Sequence, residues 1–231
     1  MLLDVEYVIL GLPGVLAPAW AWWSSSAALA RAARSASSTG LTGAEAARAV
    51  MEAGGMVPAP IEVAAGPLAD YYEPGGGILR LSEPVHSGRS LAAIGVATHE
   101  AGHAVQAAER SPWRLVRRAA VPLADLSSIL AWQLLLAGTL LGIFRLTLWG
   151  LALVWLALAV QLVNLGAEYD ASRRASRLLE KAGLLDRGPE AELARVHRAA
   201  AWAHVAAVFA GFPALVGRFL ASAARVLRAR A

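Results

Sequence analysis

The sequence predicts a mainly α-helical membrane protein, with about four transmembrane helices and a small α+β domain on the cytoplasmic side. Three observations lead there. Hydrophobic residues make up 57% of the 231-residue chain and charged residues only 16%, whereas soluble proteins run near a quarter charged. The mean hydropathy is +0.51. The apolar excess is gathered into blocks long enough to cross a bilayer, which takes about 20 residues each. Between the first and second blocks lies a stretch of mixed composition, with turn residues and short strand-like runs.

Residues 1–23 form the first expected membrane helix. Tyr7 to Trp23 is apolar and ends in Trp20, Trp22 and Trp23, the aromatic belt of a membrane interface. A secretory signal peptide would want a positive N-terminal region, but this one carries Asp4 and Glu6 and no Lys or Arg.

Residues 24–120 are the main non-membrane region. Thr42 with Glu45 reads as a capping box opening a helix that runs through Val50 to a stop at Gly54-Gly55. Ile61 to Ala65 is a short strand. Residues Asp70 to Pro74, the turn Gly75-Gly76-Gly77 and a strand from Ile78 to Leu81 form a hairpin. A helix from about Ser90 through Glu109 follows, and His86 falls in the loop before it. The hairpin either offers an edge on which a peptide could add as a strand or simply packs on that helix.

Residues 121–166 are a transmembrane helical hairpin. Arg145 is the only charge between Asp125 and Glu168, so the block divides into Leu126–Phe144 and Leu146–Gly166 with a short turn near Arg145. Gln133, Gln161 and Asn164 inside these runs are expected to make interhelical hydrogen bonds. Residues 167–198 open with Glu168-Tyr169-Asp170-Ala171-Ser172 and continue as a charged helix through Lys181 to Gly183. Residues 199–231 hold a fourth apolar run, Ala199 to Phe219, and a tail with Arg218, Arg225, Arg228 and Arg230.

Charge and cysteine content narrow the chemistry. There are no cysteines, which removes disulfides, thiolate metal sites and a cysteine nucleophile together. The net charge of +4 is carried by arginines beside apolar blocks, a juxtamembrane pattern rather than a nucleic-acid footprint. Lys and Arg number about nine in the 24–118 region and about seven in 166–198, against none before the first span and one at the 145 turn. By the positive-inside rule both polar regions face the cytoplasm. The arginine-rich tail does not fit if the fourth run spans fully. That run is then re-entrant or partly interfacial, or the tail is an exception.

The chemistry-bearing motif is His99-Glu100-Ala101-Gly102-His103. On a helix, positions i and i+4 share a face, so His99 and His103 can turn two imidazole nitrogens to one metal ion. Glu100 lies beside them, where a general base for a metal-activated water is needed. The flanking Val96, Ala97, Ala101, Ala104 and Val105 let the helix be buried, and Gly102 lets another segment approach closely. With no thiolates, zinc must be held by His and carboxylate. A third histidine six residues after His103 is absent, because Glu109 stands there. Two spans separate residue 103 from residue 168, which returns Glu168 to the same side. Glu168 is either the third ligand or an acidic residue complementing a helix N-terminus.

Several stretches together resemble the YugP-type neutral zinc metallopeptidases of bacterial membranes. They are Ser38–Gly43, Asp70–Pro74, Leu79–Ser82, Ala92–Gln106 and Glu168–Ser172. The similarity covers nearly the whole chain. It implies a membrane-embedded gluzincin with a zincin-like domain, in which His99, His103 and Glu168 bind zinc. The metal site is also similar to that of the HtpX and CAAX-prenyl-protease group. There an aspartate four residues after the glutamate steadies a ligand histidine; here that position is Ser172, leaving Ser172 or Asp170 as substitute. The family commonly has His where this chain has Tyr71, so Tyr71 receives no role.

The expected function is zinc-dependent hydrolysis of peptide bonds in membrane proteins or peptides, with Glu100 as general base, at the cytoplasmic face of a bacterial inner membrane. Tyr72, His197, His204 and the Arg173/Arg174 pair are the candidate donors to the oxyanion. Peptide and bilayer are the expected partners, and no nucleic acid. The alternative is a catalytically silent membrane scaffold or chaperone with a structural zinc site, which predicts metal without turnover. A transporter or lipid-binding bundle would call for more charge within the spans than Arg145 supplies.

Overall fold

The computed structural model describes residues 5–66, 69–184, 192–203, 205 and 206, with side chains from residue 16 onward. The described residues are mostly helical, with one small sheet among them. The chain divides into two compact units. One takes in the described residues through Trp22, Ala119–Asn164 and those from Ala203; the other takes in Trp23–Arg118 and Leu165–Trp202.

The first unit holds most of α1 (Val5–Ala32), the greater part of α5 (Pro112–Leu141) and the first half of α6 (Phe144–Lys181). Among the described residues, α5 and α6 are the two helices long and apolar enough to cross a membrane. They form the expected hairpin, but its turn is at Gly142-Ile143, where Gly142 has φ +65°, and Arg145 lies exposed in the first turn of α6. Small residues let the two helices approach. A Cβ on Gly138 would stand 2.5 Å from Thr147 Oγ1, and one on Gly150 2.8 Å from Leu135 Cγ. Leu126, Ile129, Leu140, Trp149, Leu162 and Val163 are exposed, an apolar exterior suited to lipid rather than water. Gln133 is exposed on α5 rather than buried between helices, while buried Asn164 donates from Nδ2 to Gln161 Oε1 at 3.5 Å within α6.

The boundary expected at residue 166 is not a break in the backbone. α6 continues through it for 38 residues, about 57 Å at 1.5 Å per residue. The polarity of the sequence changes at Glu168, but helical hydrogen bonds are indifferent to that change. Of the fourth apolar run, residues 199–203 are helical with the stretch from 192; His204 and residues 207–231, with the basic tail, lie outside the described residues.

The second unit is built around α4 (Leu91–Ala108). Ser90 is its N-cap, accepting from Ala93 N–H at 3.2 Å. Thr42 and Glu45 form the expected capping box of α2 (Gly43–Ala53), and Gly54 is its C-cap. The helix buries Ala46, Ala47, Val50 and Met51 in a core shared with Ile94, Ala97, Ala101, Ala104 and Val105 of α4. Strands β1 (Ile61–Ala64), β2 (Tyr71–Glu73) and β3 (Ile78–Ser82) form a sheet in the order β1-β3-β2. The β2–β3 pair is the expected antiparallel hairpin; β1 adds to β3 in parallel. Leu79 and Leu81 of β3 alternate into the core. A one-turn helix, α3 (Glu83–His86), joins the sheet to α4 and includes His86, where the sequence suggested a loop.

Candidate metal centre

α4 carries the motif on its buried face. His99, Glu100 and His103 are 1%, 5% and 4% exposed, and Glu168 of α6 is fully buried. The approach of α6 to α4 occurs at Gly102, where a Cβ would stand 2.4 Å from the Ala171 carbonyl oxygen. Only glycine permits that spacing, which brings Glu168 opposite the two histidines.

The geometry that results is convergent. Glu168 Oε2 lies 3.2 Å from His99 Nε2 and 3.0 Å from His103 Nε2. The three residues form a group whose ligand atoms all lie within 4.8 Å of one another.

The neighbours define which nitrogen carries the proton. Gln106 donates from Nε2 to the Ala167 carbonyl and to Asp170 Oδ2, both at 2.8 Å. Its Oε1 therefore faces His103 Nδ1 at 2.9 Å, and Nδ1 must donate. The Ser172 hydroxyl donates to the His197 carbonyl at 3.4 Å, so its oxygen accepts from His99 Nδ1 at 3.0 Å. With Nδ1 as the donor, the Nε2 of each ring is the nitrogen turned toward the carboxylate oxygen and available as a ligand atom. Burial, and then the Arg117 charge, lower the His103 pKa below the ordinary imidazole value; Glu168 and Glu100 oppose this. Three electron-pair donors facing one another in a buried site suit a cation, and two imidazoles with one carboxylate suit zinc. The residues present fit that metal.

Glu100 is held from the sheet side: its Oε2 accepts the backbone N–H of Tyr72 at 3.1 Å. β2 is kept in place by Asp70, whose Oδ1 accepts the Ser82 N–H at 2.7 Å and hydroxyl at 2.9 Å. Burial raises the Asp70 pKa against the pull of those bonds.

The sequence-predicted oxyanion donors fare unevenly. His197 is buried with both ring nitrogens engaged, Nε2 with Thr98 Oγ1 at 3.1 Å and Nδ1 with Ser176 Oγ at 3.0 Å. Arg174 is shared between Asp170 and Glu109, and Arg173 is exposed. The Tyr72 side chain packs against the core, and burial raises its hydroxyl pKa. Tyr71 is exposed. Both substitutes considered for the missing aspartate take part: Ser172 bonds His99 directly, and Asp170 acts on His103 through Gln106.

Two residues of the site were not singled out by sequence. Gln106 follows His103 by three positions, so helical spacing alone could have flagged it. Arg117, whose Nη1 pairs with Glu168 Oε1, gave no such signal among its neighbouring arginines.

Comparison with known proteins gives the family. The family described as "Putative neutral zinc metallopeptidase" matches residues 7–223. A Bacillus subtilis (strain 168) protein named "Putative membrane protease YugP" is 38% identical over 163 residues, covering 71% of this chain and 72% of that one. No solved structure matches the chain. The chain belongs to the family described as "Putative neutral zinc metallopeptidase", the one that its several motif stretches together resembled.

Proposed function

We propose that the protein is a membrane-embedded zinc endopeptidase of the gluzincin type, with His99, His103 and Glu168 as metal ligands and Glu100 as general base. The observation that carries this reading is the convergence of two imidazole nitrogens and one carboxylate oxygen in a buried site. Zinc bound there supplies a Lewis acid that polarises the scissile carbonyl and acidifies a water molecule. Glu100 takes the proton from the attacking water and delivers it to the leaving amine. The Tyr72 N–H fixes the direction of the Glu100 carboxylate for that transfer. Ser172 and Gln106 hold the histidines in the ligating tautomer. The substrates are membrane proteins or peptides presented at the cytoplasmic face, and four spans anchor the enzyme in the bacterial inner membrane; these follow from the arginine distribution and the apolar runs.

Elemental analysis of detergent-purified protein tests the reading. About one zinc per chain is expected, and much less in Glu168→Ala. Glu100→Gln is expected to keep its zinc and lose about 10²–10⁴-fold in turnover of a denatured protein substrate. A folded wild type without zinc would sink the proposal, as would Glu100→Gln with full activity. Zinc without turnover in the wild type would favour the silent scaffold.

A further inference from the structure

Glu168 uses both of its carboxylate oxygens, in different ways. Oε2 faces the two imidazoles, whereas Oε1 is paired with Arg117 Nη1. We propose that Arg117 is a positioning residue for the metal centre, holding Glu168 so that Oε2 alone is presented as the ligand atom. The inference rests on the zinc reading above and extends it to a residue that the motif does not contain.

The placement has two supports besides the ion pair. Trp113 and Arg117 are four residues apart on α5 and share a face. Trp113 lies against Gly166, where a Cβ would stand 2.3 Å from its ring. The same face therefore meets α6 at two points, Gly166 and Glu168. Arg110, Arg114 and Arg118, by contrast, are exposed, as juxtamembrane charges are. Arg117 alone of the four turns inward, its side chain 19% exposed.

The physics asks for such a partner. A fully buried carboxylate is costly unless paired and hydrogen-bonded. The Arg117 guanidinium, which stays charged, supplies that partner at Oε1 with or without a metal. With Oε1 occupied by Arg117, Oε2 would be the Glu168 oxygen that holds a metal. Lysine would keep the charge but not the planar donor fork.

The test is a cycle of four full-length proteins in detergent: wild type, Arg117→Met, Glu168→Gln and the double variant, with Arg117→Lys as a fifth. Zinc affinity is read by competition with a chromophoric chelator, and thermal unfolding is followed after metal removal. Arg117→Met should weaken zinc about 10–100-fold, and Arg117→Lys less. In the Glu168→Gln background the same change should have little effect. In metal-free protein Arg117→Met should lower Tm, and the double variant should recover much of the loss because no buried charge is left unpaired. Unchanged zinc affinity in Arg117→Met would overturn the inference. So would equal losses in both backgrounds, or a Tm loss that the double variant does not recover. A wild type that binds no zinc would instead overturn the reading beneath it.

Discussion

Gly102→Ala asks whether the packing of α4 on α6 sets the ligand geometry. The new Cβ would stand 2.4 Å from the Ala171 carbonyl oxygen and 3.0 Å from its carbonyl carbon. Comfortable contact lies near 3.5 Å, so the helices must separate locally by roughly 1 Å. Both opposing atoms are backbone, and neither can rotate away. Overpacking of this kind costs about 1–3 kcal/mol in stability. The cost to the site should be larger in proportion. Gly102 directly precedes His103, and Ala171 follows Glu168 by three residues, so the displacement falls on the ligands themselves. Metal–ligand distances tolerate only about 0.2 Å, and zinc affinity should fall by about 100-fold. Chelator competition measures this, with thermal unfolding alongside. Gly95→Ala is the control. Its Cβ would meet Val196 Cγ1 at 2.3 Å, a clash with a side chain on the 192–203 helix rather than with α6. It should lower Tm comparably and cost much less zinc affinity. Wild-type zinc affinity in Gly102→Ala, or an equal loss in Gly95→Ala, would refute the reasoning.

Two further outcomes follow from the neighbours of the ligands. Gln106→Leu removes the acceptor that fixes the His103 tautomer and should weaken zinc about 10–100-fold; an unaltered chelator titration would show that Asp170 and Gln106 do not orient the ring. Folding stability should also depend on pH through His197, whose pKa is lowered to about 3, first by burial and then by His99. An unfolded histidine titrates near 6.5. Between those values the unfolded chain binds the extra proton, so stability is complete above about 6.5 and falls as pH drops toward 3, by up to about 1.4 kcal/mol per unit. Thermal melts of metal-free protein should show that slope, and His197→Gln should flatten it; an equal slope in the variant would remove His197 as its source.

What sequence could read was what short range determines. The Thr42–Glu45 box, the β2–β3 hairpin and the His99/His103 pair each depend on residues a few positions apart, and each is present in the structure. What escaped it depends on contacts across the chain or on backbone continuity. β1 pairs with β3 in parallel because the strands meet over a shared core, not because of any turn between them. The turn of the helical hairpin, expected near Arg145, is made at Gly142-Ile143, because a left-handed residue rather than a charged one closes it.

Glu168 shows how a change of composition can fall inside a continuous helix and still mark a candidate ligand. The change from apolar to charged residues at the end of the third run marks where side chains change solvent. It does not mark where the backbone turns, and α6 passes straight through it. A carboxylate at such a change of solvent can belong to either environment, which is why its sequence alone left a ligand and a helix-end charge both open. The surroundings argue against the helix-end charge. A helix-end charge would be solvated and near a terminus, whereas Glu168 is fully buried in the middle of a 38-residue helix, with imidazoles at one oxygen and a guanidinium at the other. Neither partner is near it in sequence. Its chemistry is set by α4 and α5, and only the packing of those helices on α6 makes it legible.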